Sequence, residues 1–181
     1  MPDRVVIDAS VAVAVLVEES GSQAVRTMIR GWAGSRAELL VLSHFWIEVT
    51  NALVRRHGWT PAAVVEGFIV LDELGARTVE SDRPLLLLAI DHMERFGLSA
   101  YDAVYVALAQ STEARLATLD HRLAQAAVEA GLLVDPDRPT RLAEDRAIYT
   151  ATRQTRPSWA GSAVVGRHLA ELRHHALTGS H

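Results

Sequence analysis

A chain of 181 residues, 49% of them hydrophobic, can bury one substantial core, so a single domain with at most an appendage is expected. Cysteine is absent, which excludes disulfide frameworks and thiolate metal sites and makes the cytoplasm the expected compartment. The net charge of −4 is unevenly spread: residues up to Val134 carry 11 Arg against 17 acids, the remainder 7 Arg against 5, and lysine is missing throughout.

An acidic body lacks the cations with which proteins grip phosphates, unless divalent metal ions reverse the charge locally. The longest apolar runs, Val11 to Val17 and Leu85 to Ile90, fall far below the roughly 20 residues that a membrane span requires. No basic leader precedes an apolar stretch, so a protein without a membrane segment is expected.

In chain order, Arg4 to Ile7 is a short run rich in β-branched residues that ends at Asp8, and Glu38 to Leu42, Ala76 to Glu80, Arg115 to Leu119 and Leu132 to Val134 are similar. These are five expected strands. A helix is expected to begin near Val11, and helical spacing runs over Ser43 to His57, Thr60 to Leu74, Asp82 to Phe96, Ser99 to Gln110 and Asp120 to Ala130, the last closed by Gly131. Short strands alternating with helices imply crossover connections and a parallel sheet covered on both faces. Asp135-Pro136-Asp137-Arg138-Pro139 ends that unit, because two prolines so close together continue neither a strand nor a helix. Beyond it, Leu142 to Thr152 and Ala163 to Ala176 can each form a helix, but they are too poor in apolar residues to build a core of their own.

Four carboxylates stand out. Asp8 follows the first strand, and in open α/β sheets ligands bind at the carboxyl ends of strands; a plain helix cap from Asp8 or Ser10 explains the same residues. Glu48 lies on the apolar stripe of Phe45, Val49, Ala52 and Leu53, where a carboxylate is unfavourable unless paired, hydrogen-bonded or bound to a metal. An arginine partner is the alternative. Ser99 to Asp102 fits a variant capping box, and Asp120 repeats the strand–acid–helix arrangement of Asp8. Each acid has a bland explanation, yet a parallel sheet can bring all four to one edge. Four neighbouring carboxylates do not all ionise without a cation, and hard oxygen ligands select Mg²⁺ or Mn²⁺. Such an ion lowers the pKa of a bound water and neutralises charge on a transferring phosphoryl group.

Val6-Ile7-Asp8-Ala9-Ser10-Val11, Glu48-Val49-Thr50-Asn51-Ala52-Leu53, Tyr101-Asp102-Ala103 and Thr118-Leu119-Asp120-His121-Arg122-Leu123 occur in the order and spacing of PIN-domain proteins, and the chain resembles the VapC-type toxins among them. The resemblance spans about Arg4 to Asp135. It implies a three-layer α/β/α PIN-like domain over residues 1–135, with a central parallel sheet of about five strands. It further implies an Mg²⁺- or Mn²⁺-dependent endoribonuclease acting on RNA, a homodimer, and a cognate VapB-type antitoxin that holds it inactive. Carried over by position, the acidic quartet is Asp8, Glu48, Asp102 and Asp120, with Ser10 and Thr118 as polar support. Residues 136–181 depart from the family, whose toxins commonly stop shortly after the last strand; this extension is expected to be partly helical, docking on the body or the antitoxin groove or touching RNA through its arginines.

Other readings fit less well. Receiver domains and aspartyl-phosphate hydrolases place a nucleophilic Asp after a similar strand, but they need a lysine that this chain lacks, and the hydrolases need a second Asp where Ser10 stands. His44 shares a helix face with Glu48, but no His-Glu-x-x-His is present, and the histidines are read mostly as surface residues. The Trp residues at 32, 46, 59 and 159 read as packing rather than as a base-stacking platform. The runner-up is a catalytically silent PIN-like module that binds RNA or a protein partner.

Overall fold

A computed structural model describes residues 4–17 and 22–134. Four parallel strands, β1 (Arg4–Ile7), β2 (Glu38–Leu42), β3 (Arg77–Val79) and β4 (Arg115–Ala117), form one sheet in the order β3-β2-β1-β4. The helices are α1 (Ala9–Leu16), α2 (Ser22–Ser35), α3 (Phe45–Asn51), α4 (Pro61–Asp72), α5 (Arg83–Phe96), α6 (Ala100–Ser111) and α7 (His121–Glu129).

The strands' two-residue period sorts their side chains into the two cores. Val6, Leu40, Leu42 and Leu116 pack with α5, α6 and α7, including Leu85, Ala89, Val104, Tyr105, Leu108 and Leu123. Val5, Ile7, Leu39, Val41 and Ala117 pack on the opposite face with Val11, Val25, Ile29, Phe45, Val49, Leu53 and Leu71 of α1 to α4 and the turn after α3. The α/β/α layering expected from the alternation of elements is therefore present. Among the described residues, no helix is long and apolar enough to cross a membrane.

The structure departs from the expected elements in several places, and β3 and β4 are shorter than expected. The expected fifth strand, Leu132 to Val134, is a single bridge between Leu133 and Leu116, held by Leu116 N donating to Leu132 O at 2.7 Å and Val134 N donating to Leu116 O at 2.9 Å. The helix expected over Ser43 to His57 starts at Phe45 and passes at Ala52 into a π-helical turn, Ala52–Arg56, closed by His57 N donating to Ala52 O. Helix α2 was not anticipated, although Val25, Ile29 and Trp32 are buried along one stripe of it; Gly31 and Gly34 weaken its local helical signal. The two helices expected in the C-terminal extension lie outside the described residues.

Candidate active site at the carboxyl ends of the strands

Strand β1 is interior to the sheet, and its last backbone step ties it to β4: Asp8 N donates to Ala117 O at 3.0 Å. Asp8 then caps α1, and its side chain is only 8% exposed. Its Oδ2 accepts from Ser10 N at 3.3 Å, from Thr118 Oγ1 at 2.8 Å, and from the Ser10 hydroxyl. Burial pushes the Asp8 carboxyl up from its ordinary value, against the lowering effect of those hydrogen bonds. Capping and a buried site carboxylate are thus two roles of one residue.

The same bonds shape the next loop. Thr118 Oγ1 accepts from Asp120 N at 3.0 Å while donating to Asp8, and Ser10 Oγ accepts from Leu119 N at 2.9 Å. Two residues expected to extend β4, Thr118 and Leu119, therefore leave the strand to bind the side chains around Asp8.

Glu48 reaches the same edge from α3. Its Oε2 accepts a 2.7 Å hydrogen bond from Tyr105 Oη, a side chain on α6 that is 1% exposed. Glu48 is raised from 4.5 to about 6, chiefly by burial and further by the negative charges of Asp8 and Asp102, with the Tyr105 bond pulling the other way. Burial and the Glu48 carboxylate push the Tyr105 phenol up, so it stays an un-ionised donor. Asp102 is held at the start of α6 by a reciprocal cap: its Oδ2 accepts from Ser99 Oγ at 2.7 Å, and its own N–H donates to Ser99 Oγ at 3.2 Å.

The structure thus brings Asp8 and Asp102 within electrostatic reach of Glu48. Asp120 stands apart. It is exposed, its Oδ1 caps α7 by accepting from Leu123 N at 2.9 Å, and it is not among the charges acting on Glu48. Its link to the other acids is the backbone bond through Thr118.

Two residues escaped the sequence reading. Tyr105 lies three positions after Asp102, on the same face of α6, and a buried phenol needs a partner; that spacing was the available signal. His44, which the sequence places on the Glu48 face of the helix without giving it a role, is half-buried: Nδ1 lies 3.1 Å from Ser81 Oγ, and the ring forms T-shaped pairs with Tyr105 and Tyr101 at centroid distances of 5.3 and 5.7 Å. Burial holds the imidazole below its ordinary value, although the Tyr101 backbone, Asp8 and Asp102 act in the opposite direction.

Among the described residues no Arg forms an ion pair with Asp8, Glu48 or Asp102, and no three His, Asp or Glu side chains already stand in a ligating arrangement. An oxygen-only donor set nevertheless suits Mg²⁺ or Mn²⁺: Mg²⁺ keeps several of its waters and is held through one or two carboxylates plus substrate phosphate. Two raised carboxylates with no cationic neighbour are groups whose charged forms such an ion would favour.

The family model for the PIN domain matches residues 5–129, which include all four acids. The chain belongs to the PIN-domain family. Among solved structures, PAE2754 of Pyrobaculum aerophilum is similar at 25% identity and a TM-score of 0.52, over 68% of this chain and 79% of that one. VapC20 of Mycobacterium tuberculosis, described as a sarcin-ricin loop cleaving toxin, is similar at 19% identity and a TM-score of 0.57, over 71% of this chain and 96% of that one. A chain of a toxin-antitoxin complex from Klebsiella pneumoniae is similar at 14% identity and a TM-score of 0.57, over 73% of this chain and 97% of that one. No curated protein matches the chain. PIN domains are generally nucleases, and the VapC likeness is one of fold.

Proposed function

We propose that this chain is a metal-dependent endoribonuclease, the toxin of a type II toxin–antitoxin pair, with its active site at Asp8, Glu48 and Asp102. The observation that carries this reading is the uncompensated acid cluster: Asp8 and Glu48 are both raised, and Asp8 and Asp102 together disfavour the charge on Glu48. A fold selected for stability alone would not place three acids together with no cation beside them.

The donor set fits Mg²⁺ or Mn²⁺, which when bound would neutralise charge on the scissile phosphodiester and lower the pKa of an attacking water. Asp8 and Asp102 are its expected holders. Glu48, raised to about 6, is suited to take and return a proton near neutral pH, with Tyr105 fixing its Oε2. Ser10 and Thr118 orient Asp8, and Thr118 sets the backbone of Asp120, which completes the quartet from the rim. The likeness to VapC20 and to the Klebsiella pneumoniae complex supports RNA as substrate and an antitoxin as partner, and the proposal takes that antitoxin to be of the VapB type and the chain to act as a homodimer.

A second reading, a catalytically silent module binding RNA or protein, is favoured by the lack of a preformed ligating group among the described residues. Purified, antitoxin-free chain incubated with cellular RNA separates the two. Discrete fragments with Mg²⁺ or Mn²⁺, lost in EDTA and in Asp8→Asn, are the expected result; intact RNA with every metal, from folded protein, would leave the silent module.

A further inference from the structure

Among the large apolar side chains that the described residues leave exposed, three border the acid motifs. Ile47, Tyr101 and Leu119 are 64%, 66% and 54% exposed, and each immediately precedes one of the acids, Glu48, Asp102 and Asp120. Three of the four acid motifs thus carry an apolar residue facing solvent beside the carboxylate. Tyr101 is also the one Phe, Tyr or Trp among the described residues that is exposed.

Tyr101 is held in place at both ends. Its backbone is the second residue of α6, set by the Ser99 cap. Its ring rests edge-on against His44, at an interplanar angle of 74°, and His44 is braced by Ser81 and by Tyr105. With Tyr101 66% exposed, most of the residue remains open to a ligand despite that contact. His44 is also within electrostatic reach of Asp8 and Asp102, so the ring stands at the border of the carboxylate cluster.

Electrostatics constrains what such a ring is for. Among the described residues no arginine pairs with the acids, and such a site obtains little affinity from direct protein–phosphate contacts. A bound divalent ion would offset the charge of the acids at the scissile phosphate, and stacking of unpaired bases on aromatic rings is a further source of affinity that needs no cation. On this basis, which rests on the ribonuclease reading above, we infer that Tyr101 is the base-stacking residue of this site. It receives an unpaired base next to the phosphodiester lying over the acids, while Ile47 and Leu119 supply an apolar rim for the neighbouring nucleotides.

The test uses the full chain and the RNA that the wild type cleaves, with Tyr101→Ala, Tyr101→Phe and Tyr101→Trp. Stacking predicts that Tyr101→Ala raises KM about tenfold or more with kcat within about threefold, while Phe and Trp keep KM near the wild-type value. Thermal unfolding of Tyr101→Ala should be unchanged, because the ring is mostly in solvent. A single-stranded oligoribonucleotide carrying 2-aminopurine, added to Asp8→Asn protein, should lose fluorescence on binding, and should keep it when Tyr101→Ala is introduced.

The outcomes separate. Cleavage by wild type with an unchanged KM in Tyr101→Ala overturns the stacking role and leaves the nuclease standing. Loss of antitoxin affinity in Tyr101→Ala, with an unchanged KM for RNA, makes the rim a protein-docking surface instead. Wild-type protein that neither binds nor cleaves any RNA removes both this inference and the reading it rests on.

Discussion

The two ends of the sheet treat carboxylates in opposite ways. Where the strands begin, Glu38 at the start of β2 lies between Arg4 and Arg77 of the flanking strands, at 2.8 and 3.0 Å, and the two guanidiniums lower its carboxyl below the ordinary range. Where the strands end, Asp8, Glu48 and Asp102 have no arginine paired to them among the described residues, and Asp8 and Glu48 are raised. The same sheet could have supplied an arginine at both ends. An acid that costs stability in one place and is neutralised in the other marks the end where charge is kept for a ligand.

The largest contrast should appear in catalysis. Asp8→Asn keeps the shape and the acceptor oxygen for Ser10 and Thr118 but removes the charge, and should reduce RNA cleavage at least about 100-fold, since even outer-shell changes at metal sites cost 10–100-fold. Glu38→Gln, at the opposite end, should leave cleavage within about twofold. Equal losses in both variants would mean that the contrast between the ends has no bearing on function.

Metal should stabilise one end only. Mn²⁺ at about 100 times its Kd should raise the unfolding free energy of wild type by about 2.7 kcal/mol, seen as a rise in Tm that EDTA reverses. Asp8→Asn should show little of that rise, and Glu38→Gln all of it. A rise that survives Asp8→Asn would place the ion elsewhere.

In metal-free protein the two ends should also differ in sign with pH. Glu48 is raised from 4.5 to about 6, so between those values the folded chain binds more protons than the unfolded one, and stability falls as pH rises. Glu48→Gln should remove part of that decline, about 1 kcal/mol or less once solvent screening of this half-buried group is allowed for. Glu38 is lowered, so its contribution is present above pH 4.5 and is lost as the solution is acidified through its folded value; Glu38→Gln should flatten the acid side instead. Urea titrations at several pH values distinguish these slopes, and slopes of one sign in both variants would remove the electrostatic contrast.

How far the sequence disclosed this arrangement depends on whether its cause was local. β1 and β2 ended where their apolar runs ended, and the acids were visible locally, Asp8, Asp102 and Asp120 at strand ends or helix starts and Glu48 on the apolar stripe of its helix. The early end of β4 was not, because it is set by Thr118 and Leu119 bonding to side chains 110 and 109 residues away. Tyr105 and His44 were missed for the same reason: Tyr105 finds Glu48 across 57 positions, and His44 finds Ser81 across 37. Asp8 and Asp120 look alike in sequence, each following a strand and opening a helix. Only the sheet order, with β1 interior and β4 outside it, buries the first and leaves the second in solvent.

The smallest effect tests the link between those two aspartates. Thr118 Oγ1 donates to Asp8 Oδ2 and accepts from Asp120 N, so its hydroxyl is the shortest path from the buried acid to the exposed one. Thr118→Val is nearly isosteric but can do neither. It should cost about 1 kcal/mol of stability, because Asp120 N can turn to water while Asp8 loses a donor in a buried setting. Its consequence for function should be larger than that number suggests: with one fewer hydrogen bond the Asp8 carboxylate is less well oriented, and Mn²⁺ affinity should fall about tenfold or more. Thr118→Ser restores the hydroxyl and should recover both. Unfolding titrations read the first quantity and Mn²⁺ titrations the second; a valine variant with wild-type affinity would show that Asp8 needs no such support, leaving the loop after β4 to the bond from Leu119 N to Ser10 Oγ.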